Sequence, residues 1–152
     1  MRKAFKVRTK KLGLHVIELV ESLPRTRTAE VIGRQLLRSG TSVGANYRSA
    51  CRGKSIPDVL SKLAIVEEEA DETVYWLELL IEAKIVSGTN IANLVKETDE
   101  IIAMTVASIK TLRGTKTKAT RFTDSGRPST SEMSDNPKSK IENPKLRSDW
   151  GR

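Results

Sequence analysis

Two consecutive stretches constrain this chain more than any other feature: residues 34–54 (RQLLRSGTSVGANYRSACRGK) and residues 56–86, which contain IVEEEADETVYWLELLIEA. A helix advances about 100° per residue, so each side chain can be placed around an axis. Around the first stretch, Ile32, Leu36, Val43, Tyr47 and Ala50 fall on one side. Arg34, Arg38, Arg48 and Arg52 fall roughly opposite, within an arc of about 80°. On the second, Leu60, Leu63, Ala70, Val74, Leu77 and Ile81 form a seam at the a and d spacing of packed helices. Both stretches read as amphipathic helices of opposite charge.

Three details inside them bear on function. Ser39, Gly40, Thr41, Ser42, Gly44 and Ala45 are poor helix formers. Either they let a neighbouring backbone come close, or the helix breaks there, since each mid-helix glycine costs ~1 kcal/mol. Glu67 falls inside the apolar seam. It either takes a partner (an arginine of the preceding helix, a hydroxyl or an amide) or sits at the edge and reaches water. Ile65, Trp76, Leu79 and Leu80 lie away from the seam, interleaved with Glu68, Glu69 and Glu72. A helix apolar on two faces has two things to bury against, its own core and another subunit.

The flanking segments supply two more helices. Phe5, Leu12, Val16, Leu19 and Leu23 share a face, and Pro24 stops that helix. Lys3, Lys6 and Lys10 make a basic stripe away from the face. Thr28 can cap the second helix, and Ser55 with Asp58 the third, with Pro57 tolerated in its first turn. Gly88 is expected to end the third helix and Thr89 or Asn90 to start the fourth. In the fourth, Ile91, Leu94, Thr98, Ile101, Thr105, Ile109 and Leu112 repeat at spacings of 3 and 4, and Gly114 is expected to close it. Short connections force antiparallel neighbours, so the expected fold is all-α, an antiparallel up-down-up-down four-helix bundle over residues 1–114. Periodicity then disappears. Residues 115–152 are rich in Ser, Thr, Lys and Pro, a basic tail expected to be disordered, with Trp150 an incidental residue near its end.

Charge is segregated. Residues 1–55 hold 13 Lys/Arg against 3 Asp/Glu, and residues 56–113 hold 5 against 11. Basic and acidic halves of one domain can neutralise each other within a subunit or between subunits, so the net charge of +8 overstates the case for nucleic acid. A single cysteine, Cys51, excludes an internal disulfide, and no Cys/His cluster suggests a metal. No apolar run approaches a membrane span, and the basic N-terminus lacks the h-region of a signal peptide, so a cytoplasmic protein without membrane association is expected. Enzyme classes find little support. The acidic run 67–72 lacks the Glu-x-x-His pairs of a carboxylate metal site, the sole histidine, His15, lies on another helix, and no P-loop or nucleophile elbow is present. No cofactor is expected.

The block RQLLRSGTSVGANYRSACRGKS followed by KLAIVEEEADETVYWLELLIEA resembles the bacterial four-helix bundle proteins of the S23-like, or 23S rRNA intervening-sequence, group. The likeness covers about residues 4–113 and is most specific where small residues lead to Asn46 and an acidic third helix follows. It implies a homopentamer without catalytic activity and a role in binding RNA or another nucleic acid. Asn46 joins Glu67 as an expected buried polar residue. A related bundle acts as the accessory protein of a reverse transcriptase, though this chain is less similar to that branch.

Two functional expectations follow. One is a ring held by Arg34, Arg38, Arg48 or Arg52 against Glu68, Glu69 or Glu72 around Trp76, with Ile65, Leu79 and Leu80 in the same interface. The other is backbone-directed RNA contact through Lys3, Lys6, Lys10 and the tail, with the helix-two arginines available to either partner but not to both at once. A solvated basic face is the plain alternative to the second. A purely structural module, or an accessory to a nucleic-acid enzyme without direct contact, is the alternative to both.

Overall fold

Pro24 and two short linkers, residues 51–55 and 83–87, divide the chain into four helices in the computed structural model, which describes residues 2–124. They are α1 (Arg2–Ser22), α2 (Arg27–Ala50), α3 (Ile56–Glu82) and α4 (Gly88–Asp124). The described residues contain no strand. α2 is capped by Thr26 rather than Thr28: the Thr26 hydroxyl accepts from the Ala29 amide at 3.2 Å. The cause is a tight turn at Pro24, whose carbonyl accepts from the Thr26 amide at 2.8 Å and starts the helix early. α3 opens as its sequence indicates, with Ser55 Oγ accepting from the Asp58 amide at 3.3 Å and Pro57 in the first turn.

Two helix ends differ from expectation. α3 stops at Glu82, and Lys84 takes the left-handed conformation (φ 56°) that glycine usually supplies there. Gly88 is left to open α4. Gly114 does not close α4, which continues to Asp124. One exposed glycine costs a helix only ~1 kcal/mol against alanine, too little to end it without a competing turn. Residues 125–152, including Trp150, lie outside the described residues.

Cross-helix contacts set the direction of each helix. Residues 9, 13 and 20–23 of α1 meet residues 44, 40–41 and 33 of α2, so the two run antiparallel. Ser39 meets Thr73 and Gly53 meets Val59, which gives the same relation for α2 and α3. Arg8 of α1 reaches Glu97, Glu100 and Met104 of α4, while α1 residues 19–22 face residues 85–94. Each helix thus packs on its neighbours in sequence and α4 returns to α1, an up-down-up-down bundle. Leu12, Val16, Leu36, Val43, Leu77, Leu80 and Ile101 are fully buried at its centre.

The small residues of α2 bring α1 close without breaking the helix, which is continuous over Arg27–Ala50. A Cβ at Gly40 would stand 2.7 Å from Val16 Cγ2, and one at Gly44 would stand 3.1 Å from the Thr9 carbonyl oxygen. A side chain at Gly40 would require Val16 to move, and one at Gly44 would press on the α1 backbone. Phe5 and Tyr47 close the same seam edge-to-face, ring centroids 4.5 Å apart. Buried hydroxyls on α4 are satisfied within their own helix: Thr98 donates to the Leu94 carbonyl and Thr105 to that of Ile101.

Candidate interaction surfaces

The α1/α2 seam is shallow on its outer side because small residues line it. Above Gly13, Thr41, Gly44 and Ala45 lies an open groove of about 1160 Å³. Lys3, Lys6, Lys10 and Lys11 from α1 line it together with Arg48 from α2 and Arg52, which stands in the turn just past the end of α2 rather than on the helix. The antiparallel crossing explains the gathering: it sets the start of α1 beside the end of α2. None of these six cations forms an ion pair among the described residues. Val7, Leu14 and Ile17 line the same groove and are 50%, 48% and 41% exposed. Their spacing with Lys3 and Lys10 (3, 7, 10, 14, 17) makes one stripe along the outside of α1. The three apolar members were legible in that spacing; attention to the lysines alone misses them.

The outer face of α3 is the counterpart on the opposite side of the bundle. Ile65, Glu68, Glu72, Tyr75 and Leu79 recur at spacings of 3 and 4, and Tyr75 is 52% exposed. Glu68, Asp71, Glu78 and Glu82 on this side are exposed and meet no cation among the described residues. Tyr75 is a member that the sequence reading passed over.

Several expected interface residues sit elsewhere. Leu80 is fully buried in its own core and cannot contact a second copy. Trp76 is half-buried against the same core, and its Nε1 donates to Glu72 Oε1 at 2.9 Å. Both follow from one fact: the buried arc of α3 is centred on Val66, Ala70, Thr73 and Leu77, rotated from the expected seam toward α2. Leu60, Val74 and Ile81 are correspondingly only half-buried. Glu67 shares that shift and is half-buried at the edge rather than enclosed. Asn46 is also half-buried, its amide donating to the Ser42 carbonyl at 3.0 Å.

The arginine expected to bridge copies is engaged at home. Arg38 pairs with Glu69 (3.4 Å) and with Glu72 of its own chain. The Arg38 guanidinium, with help from the Trp76 N–H, holds the Glu72 carboxyl below its ordinary range. Glu69 and Glu72 therefore need no second subunit. Arg34 makes only an exposed pair with Glu30, 3.7 Å away and one turn earlier. Of Arg34, Arg38, Arg48 and Arg52, only the last two line the groove, and Arg52 stands past the end of α2 rather than on it as expected.

A second cleft, of about 930 Å³, separates α1 from the first turns of α4. It is lined by Leu19, Ile85, Ile91 and Leu94 below and by Lys11 and His15 above. At its end Arg8 grips Glu97 with two hydrogen bonds of 2.8 Å and reaches Glu100 at 2.6 Å. This contact lowers the Glu97 pKa and raises that of Arg8, hydrogen bonding being the main cause in each. Among the described residues no group of three His, Cys, Asp or Glu side chains is placed to hold a metal, and no helix is long and apolar enough to cross a membrane.

Antiparallel packing, a glycine-lined seam and a buried aliphatic core place this chain among the antiparallel four-helix bundles. The chain belongs to the 23S rRNA-intervening sequence protein family, whose pattern it matches over residues 5–107. It is also similar to a crystal structure from Bacteroides thetaiotaomicron, described as a protein of unknown function from the S23 ribosomal protein family. That likeness has 33% identity and a TM-score of 0.68, and covers 72% of this chain and 99% of the other. No curated protein matches.

Proposed function

We propose that this protein is a non-enzymatic, self-assembling interaction protein in which the outer face of α3 of one copy seats in the α1/α2 groove of the next. One observation carries the reading: two exposed stripes of opposite charge, each with apolar members at helix-packing spacing, lie on opposite sides of one bundle. Ile65, Tyr75 and Leu79 would lie along Val7, Leu14 and Ile17 over a floor of small residues, which lets a helix approach closely. Glu68, Asp71 and Glu78 would meet Lys3, Lys6, Lys10, Arg48 and Arg52. Because the two patches differ, the contact is heterologous and closes into a ring when the rotation allows; five copies is the number the family resemblance implies.

Mixing two variants tests this directly. Val7→Ser/Leu14→Ser/Ile17→Ser damages the groove and keeps the α3 face, whereas Ile65→Ser/Tyr75→Ser/Leu79→Ser does the reverse. Each alone should be a folded monomer by analytical ultracentrifugation. Mixed, they should form a dimer and stop there, since one good groove meets one good face. Monomers in the mixture, or unchanged oligomers from either variant, would refute the docking.

The second reading, RNA contact, is favoured by the same groove. Phosphate backbones need several cations on one surface, and six without an ion pair among the described residues converge there.

A further inference from the structure

The groove has two chemically different parts, and they do not serve both partners equally. Its cations suit either a carboxylate-bearing helix or a phosphate backbone. Its apolar stripe (Val7, Leu14, Ile17) adds packing area for the apolar face of a helix, whereas the phosphates of a polymer are held by the cations. Elsewhere on the helices the arginines with fixed geometry are neutralised: Arg8 by Glu97 and Glu100, Arg38 by Glu69 and Glu72.

We infer that a second copy and a single-stranded phosphate polymer exclude each other at the α1/α2 groove, so that such a polymer takes the assembly apart and salt restores it. This rests on the docking proposed above. A ligand shifts an equilibrium by its preference for one state, and the polymer binds only a copy whose groove is open. The two contacts respond differently to ions. Engagement of about five cations gives a slope of about −3.5 in log affinity against log salt for a single strand, so a fourfold rise in salt weakens it about 100-fold. The helix contact loses its charge component over the same range but keeps its apolar one.

The test follows the mass of the full-length protein with a labelled oligouridylate of about 20 nucleotides, at about 50 and 200 mM salt. Oligomer without RNA should become single copies bound to RNA at low salt and return to RNA-free oligomer at high salt. Val7→Ser/Leu14→Ser/Ile17→Ser should be monomeric at both salts and bind the RNA more tightly than the parent, because no second copy competes for its groove, while Lys6→Gln/Lys10→Gln/Arg48→Gln should lose at least tenfold in RNA affinity. RNA bound to an oligomer of unchanged mass would overturn the exclusion while leaving the docking intact, as would RNA that does not bind at low salt. A chain that is monomeric without RNA at every salt would overturn the docking itself, and this inference with it.

Discussion

The two seams that α1 makes with its neighbours are built on opposite principles. Against α2 it packs closely, a Cβ at Gly40 falling 2.7 Å from Val16 Cγ2 and one at Gly44 3.1 Å from the Thr9 carbonyl oxygen, and no ion pair among the described residues crosses the contact. Against α4 it stands off over an open cleft and is held at one end by Arg8. Close packing depends on the absence of atoms, and its failure is steep because interiors do not deform smoothly. A clamp depends on charge and geometry, so it yields gradually to salt and acid. The same helix therefore has one rigid side, which shapes the groove, and one compliant side.

The largest expected effect comes from forcing the rigid seam apart. Gly40→Leu should cost about 3 kcal/mol in urea unfolding, near the upper end for overpacking, because Val16 occupies the space the new side chain needs. Gly114→Leu is the matched control: no atom lies within 4 Å of a Cβ there, so the change should be neutral or stabilising. Equal losses at both positions would show that helix propensity, not close approach, governs the seam.

Next comes the floor of the compliant seam. Leu94 is buried beneath the cleft, and Leu94→Ala should cost about 2 kcal/mol, toward the low end for such truncations because the open cleft allows relaxation. A loss above that of Gly40→Leu would erase the contrast between the seams. Smaller still is Arg8→Gln, at about 1 kcal/mol in low salt, since the clamp is partly exposed and screened. The loss should shrink as salt rises, and a salt-independent loss would mean that Arg8 acts through packing.

Acid gives the smallest and most selective effect. Glu97 has a pKa below its ordinary 4.5 in the folded chain, so it adds stability that is fully present above pH 4.5 and fades as pH falls toward the folded value. Hydrogen exchange of α1 and α4 amides should therefore rise between about pH 5 and pH 3 relative to the α1/α2 seam. Arg8→Gln should remove most of that difference. Glu72 is lowered in the same sense by Arg38, so Arg38→Gln should leave the α1/α4 response as it is.

How much of this could be read before folding depends on the range of the interaction. The α4 repeat and the Ser55/Asp58 start of α3 are set within a few residues, and they were legible, whereas the α2 cap fell on Thr26 rather than Thr28 and neither Gly88 nor Gly114 ended a helix. The close-approach reading of Gly40 and Gly44 was also available, though their partners Val16 and Thr9 were not. The lysine stripe of α1 was visible, but not its junction with Arg48 and Arg52, which depends on antiparallel packing. Leu80 and Trp76 misled for a definable reason. A spacing rule finds the apolar line that repeats best, whereas a helix with two neighbours buries a wider arc whose centre lies between them.

From the sequence alone came four helices, their order, and the separation of basic from acidic segments, because local periodicity and composition suffice for each. Only the tertiary structure decided which arginines are neutralised within the chain and which remain free. Electrostatic pairing falls off over a few ångströms, and the distances between Arg38, Glu69 and Glu72, or between Arg8 and Glu97, exist only once helices far apart in sequence lie side by side.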